Sequence, residues 1–218
     1  MQFLLQTIVF SALISIYWCN HDRRQHLKQK VGRNTYYNLK MVARNIAIMI
    51  YPGKKNKLSG DPALLTRGAV LYSFHFGVWE LMPHIIRQYL DKNIGVLVNR
   101  YTDNNPPLVG KILDKILYYW RSRYCIKIFY PDEVYSIVKF LRNGGIFAAL
   151  IDGNTIYAKF KKIEKLAHLC NVPLIPFAVY YDKGMAIMQL NCDLEHLLKQ
   201  RPYDYWWFYR SRISSKTL

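Results

Sequence analysis

Two spacings of apolar residues alternate along most of this chain. Ala69–Phe74, Ile94–Val98, Ile126–Phe129 and Ile146–Ile151 are short, largely apolar runs bounded by turn residues, and they read as strands. Between them, apolar residues recur at three- and four-residue intervals over Val78–Leu90, Leu108–Arg123 and the segment from Asp132 to Asn143-Gly144-Gly145, which read as helices. Pro83 is expected to bend or restart the first of these, and Asp132 to cap the third. Lys161–Cys170 follows as a helix. Leu174–Tyr181 and Met185–Leu190 then flank Asp182-Lys183-Gly184 as a hairpin. Ile146–Ile151 is apolar throughout, so both of its faces are expected to be buried. The alternation implies an α/β fold with a mainly parallel sheet flanked by helices, and ligands bind such sheets beyond the carboxyl ends of the strands. His75 and Asp152 each follow a predicted strand directly, so they can share one sheet edge.

The first part of the chain has a different pattern. Phe3–Cys19 is mainly apolar, and the basic run His21, Arg23, Arg24, His26, Lys28, Lys30 follows it. A cleaved leader carries its charges before the apolar run, and Tyr17-Trp18-Cys19 is a poor cleavage site. The expectation is an N-terminal membrane-anchoring helix, spanning or lying at the interface, with the basic side and all that follows in the cytoplasm. A first helix packed on the rest of the protein is the alternative, since the run is short for a span. Asn34–Ile50 reads as an amphipathic helix with Tyr37, Met41, Ile46 and Ile48 among its apolar positions, and Lys54–Arg67 as a basic connection. The expected organisation is an anchor with its basic segment over 1–33 and a single domain over 34–218.

Composition adds a field to this outline. The 218 residues carry a formal net charge of +17, and 15% of them are aromatic. Such a field attracts anionic lipid, nucleic acid, phosphorylated substrates or an acidic carrier protein. Tyr203–Arg212 mixes aromatics with arginines and suits base stacking or a membrane interface; beside an N-terminal anchor the interface is favoured, and no nucleic acid is expected. Cys19, Cys125, Cys170 and Cys192 have no metal-ligand spacing and read as free, buried thiols; no metal is expected.

The candidate chemistry centres on His75-Phe76-Gly77-Val78-Trp79-Glu80. A neutral imidazole accepts a proton near pH 7, and a carboxylate beside it fixes its tautomer. On one continuous helix His75 and Glu80 would lie about 140° apart, so they meet only if the loop folds the histidine back over the first turn. Otherwise His75 is a satisfied strand-end histidine and Glu80 serves the helix dipole.

Six blocks occur in the order found in a known family. They are His75 to Glu80; Gly95 to Arg100 with Asp103-Asn104-Asn105-Pro106; Trp120-Arg121-Ser122-Arg123; Leu141 through Asp152; Val172 to Pro176; and Tyr205 to Arg212. In these the chain resembles the bacterial lipid A biosynthesis acyltransferases, the lauroyl/myristoyl transferases of the lysophospholipid acyltransferase superfamily. It departs after Asp152, where Lys159-Phe160-Lys161-Lys162 passes almost directly into the next helix instead of a stretch rich in glycine and phenylalanine.

The resemblance implies a glycerolipid acyltransferase-like domain on a bacterial inner membrane, facing the cytoplasm. It implies transfer of a fatty acyl group from an acyl carrier protein or CoA thioester to a hydroxyl of a glycolipid, with no cofactor. His75 would be the general base and Glu80 would orient it, with Asp152 and Arg121 completing the catalytic set. Arg100, Asn105, Arg123 and Trp79 would bind substrate, the arginines through phosphates. Backbone N–H groups at the start of the Trp79 helix would face the thioester oxygen. A degenerate homologue acting as a basic membrane-interaction protein is the alternative. Acceptor lipid and acyl length stay open.

Overall fold

The computed structural model describes residues 2–19, 24–25, 35–50, 56–100, 107–122, 126–152 and 161–205. Seven helices appear among them: α1 (Gln2–Cys19), α2 (Thr35–Ile50), α3 (Met82–Tyr89), α4 (Pro107–Ser122), α5 (Val134–Arg142), α6 (Lys161–Cys170) and α7 (Leu194–Gln200). Seven strands, β1 (Asn56–Ser59), β2 (Ala69–Ser73), β3 (Ile94–Leu97), β4 (Ile126–Phe129), β5 (Ile146–Leu150), β6 (Leu174–Asp182) and β7 (Met185–Leu190), form one sheet in the order β1-β7-β6-β2-β5-β3-β4. All neighbours run parallel except β6 and β7. The chain is therefore an α/β protein with a mostly parallel sheet flanked by helices.

The apolar strands are buried on both faces, as their composition requires. Alternation sends Ala69, Leu71, Ile146 and Ala148 to one face, where Met82, Ile85 and Ile86 of α3 cover them. Val70, Phe147 and Ala149 go to the other, against Ile137 and Leu141 of α5 and Ala167 of α6. The hairpin between β6 and β7 turns on Lys183 and Gly184, both at positive φ (45° and 82°), the backbone of a two-residue turn that follows the sheet twist.

Four expectations need correction. Asn56–Ser59, read as part of a connection, is an edge strand paired with β7. Asp132 does not cap α5; Glu133 holds the N-cap position, and Asp132 is bound to Arg100. Tyr37 is exposed, and the buried stripe of α2 runs through Asn38, Met41, Asn45 and Ile48 instead. The fourth concerns the anchor as a membrane span, which is unsupported: among the described residues no helix is long and apolar enough to cross a membrane. Rather, α1 packs on α2, with Leu13 buried beside Met41, Val42 and Ala43, and with Val9 and Phe10 half-buried. Leu4 and Ile8 point outward. Residues 20–23 and 26–34 of the basic segment lie outside the described residues, as does most of Tyr203–Arg212.

Candidate active site

Strands β2 and β5 are neighbours in register, with Ser73 opposite Leu150, so the residues two places beyond each strand emerge together. Those residues are His75 and Asp152. The Asp152 carboxylate is fully buried and meets His75 twice: Oδ1 lies 2.7 Å from the ring Nδ1, and Oδ2 accepts the His75 backbone N–H at 2.9 Å. The second bond fixes the loop and the first fixes the ring. With Nδ1–H donating to Asp152, the basic lone pair is on Nε2. A quarter of the His75 side chain is exposed (25%), and Trp79 packs edge-on against its ring with centroids 5.2 Å apart.

Glu80 is not the carboxylate bonded to this histidine, contrary to the expected pairing. The short helical turn Trp79–Leu81 carries Glu80 toward α4, where Arg121 Nη2 donates to Oε1 at 2.6 Å and Nε to Oε2 at 3.4 Å. Both partners are mostly buried. The sheet register supplies a nearer carboxylate to His75, and the last turn of α4 supplies a cation to Glu80.

Beside these pairs lies a slot of about 60 Å³. Trp79, Glu80 and Arg121 form its polar rim, and Met82, Val96, Leu97, Leu150 and Phe177 are among its apolar walls. Of the expected site residues, His75, Asp152, Trp79, Glu80 and Arg121 are thus gathered in one place. Arg100 is engaged elsewhere: it forms a two-point bond to Asp132 (2.8 and 3.1 Å) and lies over the Tyr130 ring at 4.1 Å. Asn105, Arg123 and the segment 153–160 lie outside the described residues.

The histidine loop is held by backbone bonds that the motif alone does not disclose. Gly77 has φ +60°, and a Cβ there would stand 1.9 Å from the Val179 carbonyl oxygen, so only glycine fits. Its N–H donates to the Asp204 carbonyl (2.7 Å), and the Val78 N–H donates to the Val179 carbonyl (2.7 Å). These two donors are therefore occupied and do not serve an oxyanion. Asn45 Nδ2 donates to the Gly77 carbonyl, and Phe76 forms a bridge with Tyr205. Asn38 Nδ2 reaches both the Tyr203 and Tyr205 carbonyls, at 2.8 and 2.9 Å.

Tyr205 is itself fully buried, and burial pushes its phenol well above the usual range, with the Asp152 carboxylate adding to the rise. Arg201 secures this segment by bonds to Asp204 Oδ2 (2.6 Å) and the Tyr181 carbonyl (2.8 Å). Burial pushes the Asp204 carboxyl up while Arg201 opposes it. Asn38, Asn45 and Tyr205 were not legible as support for the site. The available signal was two asparagines seven residues apart within the apolar stripe of α2.

Among the described residues no cluster of His, Cys, Asp and Glu could hold a metal ion. Cys170 and Cys192 are buried free thiols as expected, whereas Cys19 is exposed, and Cys125 lies outside the described residues. Burial pushes the Cys192 thiol up to about 11, which argues against a nucleophilic role. Comparison with models of known families and with curated proteins returns no match.

Proposed function

We propose that the protein is an acyltransferase that moves a fatty acyl group from a thioester, carried by an acyl carrier protein or CoA, to a hydroxyl of a membrane glycolipid. The observation that carries this reading is the buried Asp152 carboxylate on His75 Nδ1, with Trp79 packed against the imidazole and also lining an apolar slot. An alcohol needs a base to become a nucleophile, and Nε2 of a carboxylate-held imidazole is such a base. As the acceptor oxygen bonds to the thioester carbon, Nε2 takes the hydroxyl proton. The tetrahedral intermediate then collapses to the ester, and the departing thiolate takes the proton back from the imidazolium. Asp152 rather than Glu80 stabilises that cation in this scheme. Glu80 instead holds the planar fork of Arg121 at the slot's rim, where a phosphate of either substrate can meet it. The lining of Val96, Leu97, Leu150 and Phe177 suits a hydrocarbon chain.

The six blocks shared with lipid A acyltransferases support the same reading, with a phosphorylated glycolipid as acceptor and an acidic carrier protein as donor at the inner membrane. No span is assigned to α1 in this proposal. It contributes an interfacial contact through Leu4 and Ile8.

The test is transfer of a labelled acyl chain from carrier-protein or CoA thioesters to phosphorylated glycolipid, with mass spectrometry of the lipid product. Wild type is expected to add one acyl chain and His75→Ala to add none while remaining folded. Full transfer by His75→Ala would refute the mechanism. One observation favours a second reading, a non-catalytic basic membrane-binding protein: the slot, at about 60 Å³, is small. Wild-type protein that binds anionic vesicles but transfers from neither donor would decide for it.

A further inference from the structure

Among its described side chains, helix α4 is amphipathic in the reverse of the usual sense. Its protein-facing line is Gly110, Asp114, Leu117 and Arg121: Gly110 is buried and the other three are half-buried. At 100° per residue these four fall within an arc of about 60°. Leu108, Ile112, Ile116 and Tyr119 fall within an arc of about 80° on the opposite side. They are between 46% and 72% exposed. A surface helix of a globular domain ordinarily turns its apolar stripe inward and its charges outward. Here an aspartate and an arginine face the protein while an apolar stripe about three turns long faces out, which marks an interaction surface.

We infer that the outer face of α4 is a membrane-docking surface that lies in the plane of a bilayer bearing anionic headgroups. The flank of the stripe selects this occupant. Lys111 and Lys115 are exposed along one border, with Tyr118 on the same side. Lysines whose stems lie along an apolar stripe put their ammonium groups at headgroup level, and tyrosines favour the same boundary. The net charge of +17 adds long-range attraction to a negative surface.

The placement has a consequence for the site. Arg121, on the inner face of the same helix, is bonded to Glu80 at the slot's rim. A helix seated on the bilayer would hold that rim about one helix diameter, roughly 10 Å, from the headgroups. The inference extends the acyltransferase reading, but vesicle binding does not require catalysis, so each can fail alone.

The experiment uses the full chain with vesicles of phosphatidylcholine alone or mixed with phosphatidylglycerol. Sedimentation is expected to show partitioning that rises with phosphatidylglycerol. The double variant Ile112→Gln/Ile116→Gln should weaken it at least roughly tenfold, given the apolar area removed. Lys111→Ala/Lys115→Ala should weaken binding to the mixed vesicles only. His75→Ala should bind like wild type. All four substituted α4 positions are exposed, so thermal melting is expected to be unchanged, and hydroxyl-radical footprinting of the unmodified protein reads the same surface without a variant. Protection of Leu108, Ile112 and Tyr119 on vesicle addition is expected. Wild-type partitioning by the isoleucine variant, or no footprint change at α4, would overturn the inference. So would self-association of the wild type that the isoleucine variant abolishes, because the stripe would then be an interface between copies of the chain.

Discussion

Two carboxylate pairs in this protein have nearly the same length and opposite surroundings. His75 and Asp152 meet at 2.7 Å, with the carboxylate fully buried. Arg100 and Asp132 meet at 2.8 Å, with 38% and 64% of their side chains exposed. By bonding geometry and charge alone the second is the better ion pair, since it is bidentate and permanently charged. By environment the order reverses. An exposed pair exchanges one set of solvent contacts for another and gains little. A buried carboxylate has no water to fall back on, so its partners fix its position and it fixes theirs. Burial, more than contact distance, separates a pair that can organise chemistry from one that only decorates a surface.

The sharpest test of this contrast removes the charge of Asp152 without changing its shape. Asp152→Asn is expected to lower acyl transfer by about 10³–10⁴, through the wrong imidazole tautomer and an unstabilised imidazolium. Steady-state rates measure it, and a loss below tenfold would make the pair structural.

The cysteines extend the contrast to a neutral group. At pH 8 a Cys192 thiol pushed up to about 11 is ionised in about one molecule in a thousand. Iodoacetamide should therefore label exposed Cys19 and leave Cys192 unmodified until the protein unfolds, as peptide mass spectrometry can read. Because this pKa is raised on folding, the associated stability is complete below the ordinary thiol value near 9. It is lost as pH rises through about 11, so urea midpoints should fall across that interval.

Next in size is Arg121→Ala, which leaves the Glu80 carboxylate mostly buried and unpaired. A cost of about 3 kcal/mol is expected in denaturant melts, and Glu80→Gln in the same chain should recover much of it. The smallest effect belongs to the exposed pair. Asp132→Asn should leave the urea midpoint almost unchanged, and less affected still in high salt. The Arg100 hydrogen bond lowers the Asp132 carboxyl below its ordinary 3.8, so its contribution is present above that value and lost as pH falls through the folded-state midpoint. A carboxyl NMR titration of Asp132 with its midpoint at or above 3.8 would contradict this.

The sheet was legible in the chain where composition left one solution. Ile146–Leu150 has no polar residue, so it had to be central, and it lies between β2 and β3. Parallel strands in register then brought His75 and Asp152 to one edge. Asn56-Lys57-Leu58-Ser59 gave no such signal, because an edge strand with one neighbour needs only Leu58 buried. The pairing of Glu80 could not be read from its distance in sequence to His75. It depends on where α4 ends, a fact written some forty residues away. Asp132 illustrates a related limit: capping and ion pairing draw on the same short carboxylate, and the fold chose the arginine.

The bonds that tie Gly77 and Phe76 to Asp204 and Tyr205 also set an order of assembly. The loop bearing His75 leaves the ribosome early, but the backbone it is stitched to is synthesised only after all seven strands. A nascent chain can pair β2 with β5 and bring His75 to Asp152 while the loop's outer wall is still missing. Competence is thereby deferred until residues 201–205 have emerged, and a fragment ending before Arg201 would have the pair without the brace that holds it.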